Sequence, residues 1–368
     1  MSKPFFLLLL CSLSVLAHPA LHWAGRLVTQ LEESPLIQEV AFSVETVGAL
    51  PEETAPQTSK ASSASSRAPI AEVYRFQDQT KLENLATRSN GQLVLTAVSD
   101  PSVYLLDPSK HNSKPQLIYR FPRATSMTGV VETASDVFVV VAGNWSVTSF
   151  EGIPGSFEVW SIDFNTRQPT VKSITTMPAA AGLNGITNSH NSETTVLIAD
   201  SDVGAIWRLD TVTGQHEIAF KDPLFTNCTS RLPLGLNGVF MYEGRLHFAN
   251  SALRIYGRVP IQQDGSASGE IEIVGRALSA ATIFDDLVMD WEGNAWVATH
   301  PNAVTQITSQ GKQRNFTGGE VEMHNPTSVA WGRGSMEAEK TLYVTTNGMS
   351  AQGKFFGAQV VSLDTRLI

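Results

Sequence analysis

Short apolar runs separated by polar turn residues recur along most of this chain, as in Val137–Val141, Ala295–Thr299 and Leu342–Thr345. Runs rich in Val, Ile, Phe and Trp that are punctuated by Gly, Asn and Asp predict antiparallel strands. Asn90-Gly91, between two such runs, predicts a tight hairpin. A longer rhythm lies over this one. A polar leading residue, a small or polar residue and an apolar strand return at Glu83-Asn84-Leu85, Thr128-Gly129-Val130, Asn184-Gly185-Ile186, Asn237-Gly238-Val239, Asp285-Asp286-Leu287 and Pro326-Thr327-Ser328. The period is roughly fifty residues, the range of stacked supersecondary units. Each unit offers four strand candidates, so the expected fold is all-β, a six-bladed β-propeller. The last unit ends after three strands, and Ala71–Phe76 resembles Leu117–Phe121, the outer strand of the first unit. An N-terminal strand is therefore expected to complete the last blade and close the ring, which protects its edges.

Ahead of the repeats, Lys3 precedes an apolar run from Phe5 to Leu16, followed by Ala17. About a dozen apolar residues are too few for a spanning helix and suit a cleaved signal peptide. The expected organisation is a signal peptide at 1–17, a segment at 18–69 that ends in a Pro-, Ser- and Ala-rich linker, and the propeller at 70–368. The implied address is the secretory pathway or the extracellular space, without stable membrane insertion. Asn144-Trp-Ser, Asn227-Cys-Thr and Asn315-Phe-Thr are candidate glycan acceptors. Cleavage would leave Cys228 as the single cysteine, so the core alone must hold the fold.

The chain of 368 residues is 42% hydrophobic and 17% charged, with a formal net charge of -9. That is a globular composition, and its acidity argues against nucleic acid as a partner. No Gly-x-Ser-x-Gly elbow, His-Glu-x-x-His, Gly-x-Gly-x-x-Gly or phosphate loop is present. In a propeller, the residues that lead the inner strands and those that end the returning strands share one channel mouth. The first ring is Glu83, Thr128, Asn184, Asn237, Asp285 and Pro326. The second is Val98–Asp100, Asn144-Trp145, Asp200-Ser201, Asn250-Ser251, His300 and Asn347. Trp145, Trp291, Trp331, His300 and His324 are candidates to wall such a pocket. Tryptophans within or beside strands also serve as blade-to-blade packing, and the Asn-Gly pairs also suit turns that need positive φ.

The ring of Glu, Asn and Asp that leads the inner strands, with Asn-Gly twice, resembles the SMP-30/gluconolactonase group. That resemblance implies a six-bladed propeller holding one divalent cation, Ca or Zn, at the channel mouth. Glu83, Asn184, Asn237 and Asp285 would be its ligands, with Asp285 also acting as acid/base; such oxygen donors suit a hard cation. The chain departs from the group at Glu83-Asn84-Leu85, where the group has Glu-Gly-Pro, and at Asp285-Asp286, where it has Asp-Gly. Thr128 and Pro326 bring no ligand.

Glu83-Asn-Leu-Ala-Thr-Arg-Ser-Asn-Gly-Gln-Leu-Val-Leu-Thr96, with the signal peptide, is similar to a fungal secreted branch of this superfamily. That branch includes hetero-Diels–Alderases of tropolone sesquiterpenoid biosynthesis. This resemblance implies small-molecule substrates, a polyketide-derived tropolone and a terpene, and no cofactor. Asp285, His300 and Glu83 are then the candidate catalytic groups. Asn184, Asn237, Trp145, Trp291, Trp331 and His324 are the candidate substrate contacts. A metal-dependent lactonase is the alternative, and a non-catalytic binding propeller is a third possibility.

Overall fold

The computed structural model describes residues 70–367 apart from 147, 191, 228–231, 319–320 and 352–353. The expected signal peptide, the segment at 18–69 and Cys228 lie outside the described residues. The fold is all-β, with six four-stranded antiparallel sheets arranged as propeller blades. The inner strands of blades I to VI are Leu82–Thr87, Ser126–Glu132, Leu183–Asn188, Leu236–Tyr242, Ile283–Met289 and Pro326–Trp331. Three further strands follow each of the first five in meander order. In blade VI the order is Ile70–Arg75, Gln359–Asp364, Thr341–Thr346, Pro326–Trp331, so strands from both ends of the described chain share one sheet.

Burial explains why these runs pair as they do. The second strands, such as Leu93–Ala97 and Thr195–Asp200, are almost wholly buried, whereas the outer strands, such as Gln116–Arg120, are largely exposed. Six apolar clusters lie between adjacent blades. One joins Val288, Trp296 and Phe316 of blade V to Val329, Val344 and Leu363 of blade VI. Another joins Val94 and Val103 of blade I to Phe138, Val140 and Ile162 of blade II. Hydroxyl groups stitch the joints nearer the axis. Thr96 donates to the Thr128 carbonyl (2.6 Å), Thr128 to Leu183 (2.9 Å), Ser251 to Phe284 (2.8 Å) and Thr327 to Leu82 (3.3 Å). Each satisfies a buried group that would otherwise be costly to leave unpaired.

Every inner strand carries a register shift near its start, between Leu82 and Leu85, Met127 and Val130, Leu183 and Ile186, Leu236 and Val239, Phe284 and Leu287, and Pro326 and Ser328. In the first five blades the bulge holds the leading residue and its successor, and bulges re-aim side chains beside sites. In blade VI the bulged residue is Thr327, which corrects the assignment of Pro326 to the ring.

The glycines that follow Thr128, Asn184 and Asn237 are not at positive φ. Close approach explains them instead. A Cβ on Gly129 would lie 2.5 Å from the Asn184 carbonyl oxygen, and one on Gly185 would lie 2.6 Å from that of Asn237.

Two short hairpins interrupt the meander. Trp145–Ser146 with Glu151–Gly152 is inserted between the second and third strands of blade II. Met349–Ala351 with Lys354–Phe356 occupies the same place in blade VI.

Candidate functional site

Hydrogen bonds among Asn84, Asp286 and Ser328 tie the inner strands of blades I, V and VI together. Where the SMP-30-like pattern has glycine, this chain places Asn84 and Asp286. Asn84 Nδ2 donates to Asp286 Oδ2 (2.8 Å), and the Ser328 hydroxyl donates to the same oxygen (2.8 Å). The Leu287 amide donates to Asp286 Oδ1 (2.8 Å). These donors favour the carboxylate, but burial opposes it more strongly and pushes Asp286 up to about 6.

A cavity of about 430 Å³ lies at the mouth where the inner strands begin. Glu83, Asn184, Asp285 and His300 line it, each delivered by a bulge or by the end of a returning strand. His300 Nε2 lies 2.9 Å from Asp285 Oδ2, a His–carboxylate dyad. Asp285 Oδ1 is buried without a partner. Neither the Glu83 carboxyl nor the Asn184 amide forms a side-chain hydrogen bond among the described residues, although Asn184 is only 4% exposed. Burial, reinforced by the nearby carboxylates of Asp285 and Asp286, holds Glu83 well above the usual carboxylate range. The site therefore offers a carboxyl that burial biases toward its acid form, a His–Asp pair and an amide without a side-chain hydrogen bond.

The upper wall is apolar. The blade II hairpin brings Trp145 and Phe150, the blade VI hairpin brings Met349 and Phe355, and the connection into blade IV brings Leu232 and Leu234. Gly152 pins the first hairpin at its base, since its amide donates to Asp202 Oδ2 (3.0 Å). Burial, then the neighbouring Asp200 and Glu151 carboxylates, pushes Asp202 up to about 7 against that hydrogen bond.

Other expected site residues fall elsewhere. Asn237 is 1% exposed, does not line the cavity and donates to the Ser251 hydroxyl (3.0 Å). Trp291 is 68% exposed in the turn after the blade V inner strand, at the opposite mouth. Trp331 ends the blade VI inner strand at that same mouth, donates to the Met289 carbonyl (2.9 Å) and packs against Trp296. His324 is buried against Phe356 and lines a neighbouring cleft rather than the cavity. Asn144 also stays out of the cavity; its Oδ1 is buried and unpartnered, while its neighbour Trp145 lines the wall. Asn227 donates to the Pro233 carbonyl (2.8 Å), and Asn315 is exposed on the outer strand of blade V.

Of the implied cation ligands, Glu83, Asn184 and Asp285 line the cavity, and Asn237 does not. Asn237 is turned to Ser251, and Asp285 Oδ2 is taken up by His300. No group of three His, Cys, Asp or Glu side chains among the described residues is placed to hold a metal ion. Trp145 lines the cavity as expected; sequence reasoning missed the other apolar hairpin residues, Phe150, Met349 and Phe355, and Lys81, which also lines the cavity. Lys81 stands two residues before Glu83, and that spacing in an extended chain was the available signal.

No family model matches the chain. A protein of Phoma sp named "Putative hetero-Diels-Alderase" is 29% identical over 304 residues, covering 75% of this chain and 86% of that protein. The "Putative hetero-Diels-Alderase asR5" of Sarocladium schorii is 26% identical over 246 residues, 60% of this chain and 61% of that protein. In sequence, this chain is similar to hetero-Diels–Alderases. In fold it is similar to the calcium-binding protein regucalcin of Agrobacterium tumefaciens, at 15% identity and a TM-score of 0.56 over 80% of this chain and 94% of that one. No helix among the described residues is long and apolar enough to cross a membrane.

Proposed function

We propose that this chain is a hetero-Diels–Alderase that joins a tropolone-derived quinone-methide-like oxadiene to a terpene alkene, forming a dihydropyran without a redox cofactor. One observation carries the reading: a single cavity at the channel mouth brings the Glu83 carboxyl and the His300–Asp285 pair together with an apolar wall. A concerted cycloaddition moves no net electrons to or from the protein. What it needs is two partners held in near-attack geometry and a donor on the heterodiene oxygen. The apolar wall of Trp145, Phe150, Leu234 and Phe355 suits the alkene. On the floor, Glu83 in its acid form donates to the diene oxygen and lowers the electron density of the diene. Asn184 orients the same polar partner, and His300, backed by Asp285, accepts a proton where the diene is formed by loss of water.

The direct test incubates the purified full chain with the diene precursor and the terpene, and follows the dihydropyran by chiral chromatography with mass detection. Accelerated formation of one stereoisomer is the expected result. A rate and isomer ratio equal to those in buffer overturn the reading. A metal-dependent lactonase is the second reading, favoured by the unpartnered Glu83 carboxyl and Asp285 Oδ1. It requires turnover of a lactone panel that chelation abolishes and Ca or Zn restores. We also propose passage through the secretory route, with the exposed Asn315 as the glycan acceptor. Intact mass before and after deglycosylation tests this.

A further inference from the structure

Among the described residues, Lys81 is the one lysine or arginine that lines the cavity. The chain carries a formal charge of -9, and other half-buried cations are matched to carboxylates. Arg88 pairs with Asp136 (2.8 Å) and Arg258 with Glu272 (2.8 Å). The Lys81 side chain, by contrast, makes no ion pair or hydrogen bond among the described residues. Its backbone is nevertheless fixed. Its amide donates to the Ser99 hydroxyl (2.8 Å), and its carbonyl accepts from the Val98 amide (2.9 Å). An extended chain alternates its side chains, so Lys81 and Glu83 face the cavity while Leu82 between them is fully buried in the core.

We infer that Lys81 is an anion-recognising residue of this site and that the polar substrate binds through a delocalised oxyanion, the conjugate base of an acidic enol or a carboxylic acid. The inference rests on the proposed function only for the choice of enol over carboxylic acid. A lysine ammonium is a compact point charge suited to one oxyanion. The pocket is partly closed to water, which strengthens the pairing relative to a surface contact. No carboxylate of the cavity takes up that charge among the described residues, and Asp285 is hydrogen-bonded to His300 instead. The pairing also has a chemical use. Ionising an enol conjugated to the diene would enrich the diene in electrons, and an ammonium on that oxygen withdraws the density again.

The test is calorimetric binding of tropolone, of its neutral O-methyl ether and of benzoate to the full chain, at a pH where tropolone is ionised. Lys81→Gln is expected to weaken tropolone at least about tenfold and to leave the ether unchanged, while Lys81→Arg restores most of the affinity. Benzoate separates the sources: Lys81-dependent binding of tropolone above benzoate assigns the enolate, and the reverse assigns a carboxylate. Equal tropolone affinity in wild type and Lys81→Gln overturns the inference, as does failure of the wild type to bind either anion. Lys81-dependent anion binding without any cycloaddition sinks the proposed reaction alone. Cycloaddition unchanged in rate and KM by Lys81→Gln sinks the anion site alone.

Discussion

Asp285 is held at one oxygen by His300 and left unpartnered at the other, while its neighbour Asp286 is tied on both oxygens. Adjacent residues of the same type thus have different work, one facing the cavity and one tying the inner strands of three blades together. Asp285→Ala should lower turnover by about 10²-fold or more, the usual scale for a lost acid/base partner, and single-turnover product formation reads it. If turnover is unchanged, the dyad is structural. Glu83 makes a sharper prediction. Its carboxyl is held above its ordinary range by burial and two carboxylates, so the acid form persists toward neutrality. If that form is the donor, activity declines as pH rises through the raised value. Glu83→Gln should remove this alkaline limb while keeping KM within about threefold, since it retains shape and an N–H donor. A pH profile of kcat identical to wild type would remove Glu83 from the reaction.

At the scale of elements, the blade strands were legible because short apolar runs between turn residues and a repeat of roughly fifty residues report the same architecture. The channel-mouth residues Glu83, Asn184, Asp285 and His300 were legible for the same reason. Trp291 and Trp331 were misplaced although a clue existed. The turn that follows an inner strand lies at the far mouth, and both residues stand there. Asn237 could not have been told from Asn184, since both sit in Gly-Leu-Asn-Gly; the difference lies in the Ser251 hydroxyl that the fold brings beside Asn237. The two inserted hairpins were invisible because their strands are two or three residues long and carry no period.

The bulge glycines carry a prediction at this scale. A Cβ on Gly185 would meet the Asn237 carbonyl oxygen at 2.6 Å and the Gly238 Cα at 2.9 Å, backbone atoms that cannot rotate away. Gly185→Ala should cost about 1–3 kcal/mol by overpacking between blades III and IV, read as a lower denaturant midpoint with an unchanged slope. A midpoint equal to wild type would mean that the inner strands can separate without penalty.

For the molecule as a whole, two buried carboxyls link stability to pH. Asp286 is raised to about 6 and Asp202 to about 7, both chiefly by burial. Each binds its proton more tightly folded than unfolded, so its contribution is full below the unfolded pKa and is lost as pH rises through the folded value. Replacing both by Asn should flatten the part of the stability decline between about pH 4 and pH 7 that they cause. Thermal unfolding of wild type and the double variant across that range measures it, and parallel curves would contradict it.

Closure of the ring has the larger consequence. Ile70–Arg75 hydrogen-bonds along Gln359–Asp364, and Ile70 is buried among Val361, Leu363 and Val329. The strand joins the first described residues to the last, so its contacts are the least local in the molecule. Removing residues 1–75 would expose the Gln359–Asp364 edge and the apolar groups beneath Ile70. The loss should reach at least about 3 kcal/mol from Ile70 burial and the ladder together. An unpaired edge of this kind is also a template for another strand. A synthetic Ile-Ala-Glu-Val-Tyr-Arg-Phe peptide should therefore rebind the truncated chain and raise its unfolding temperature with the logarithm of peptide concentration above its Kd, as linkage requires. If truncation leaves the unfolding temperature unchanged, the pairing closes the ring without stabilising it. Truncation that destabilises without rescue would place the effect outside the sheet edge.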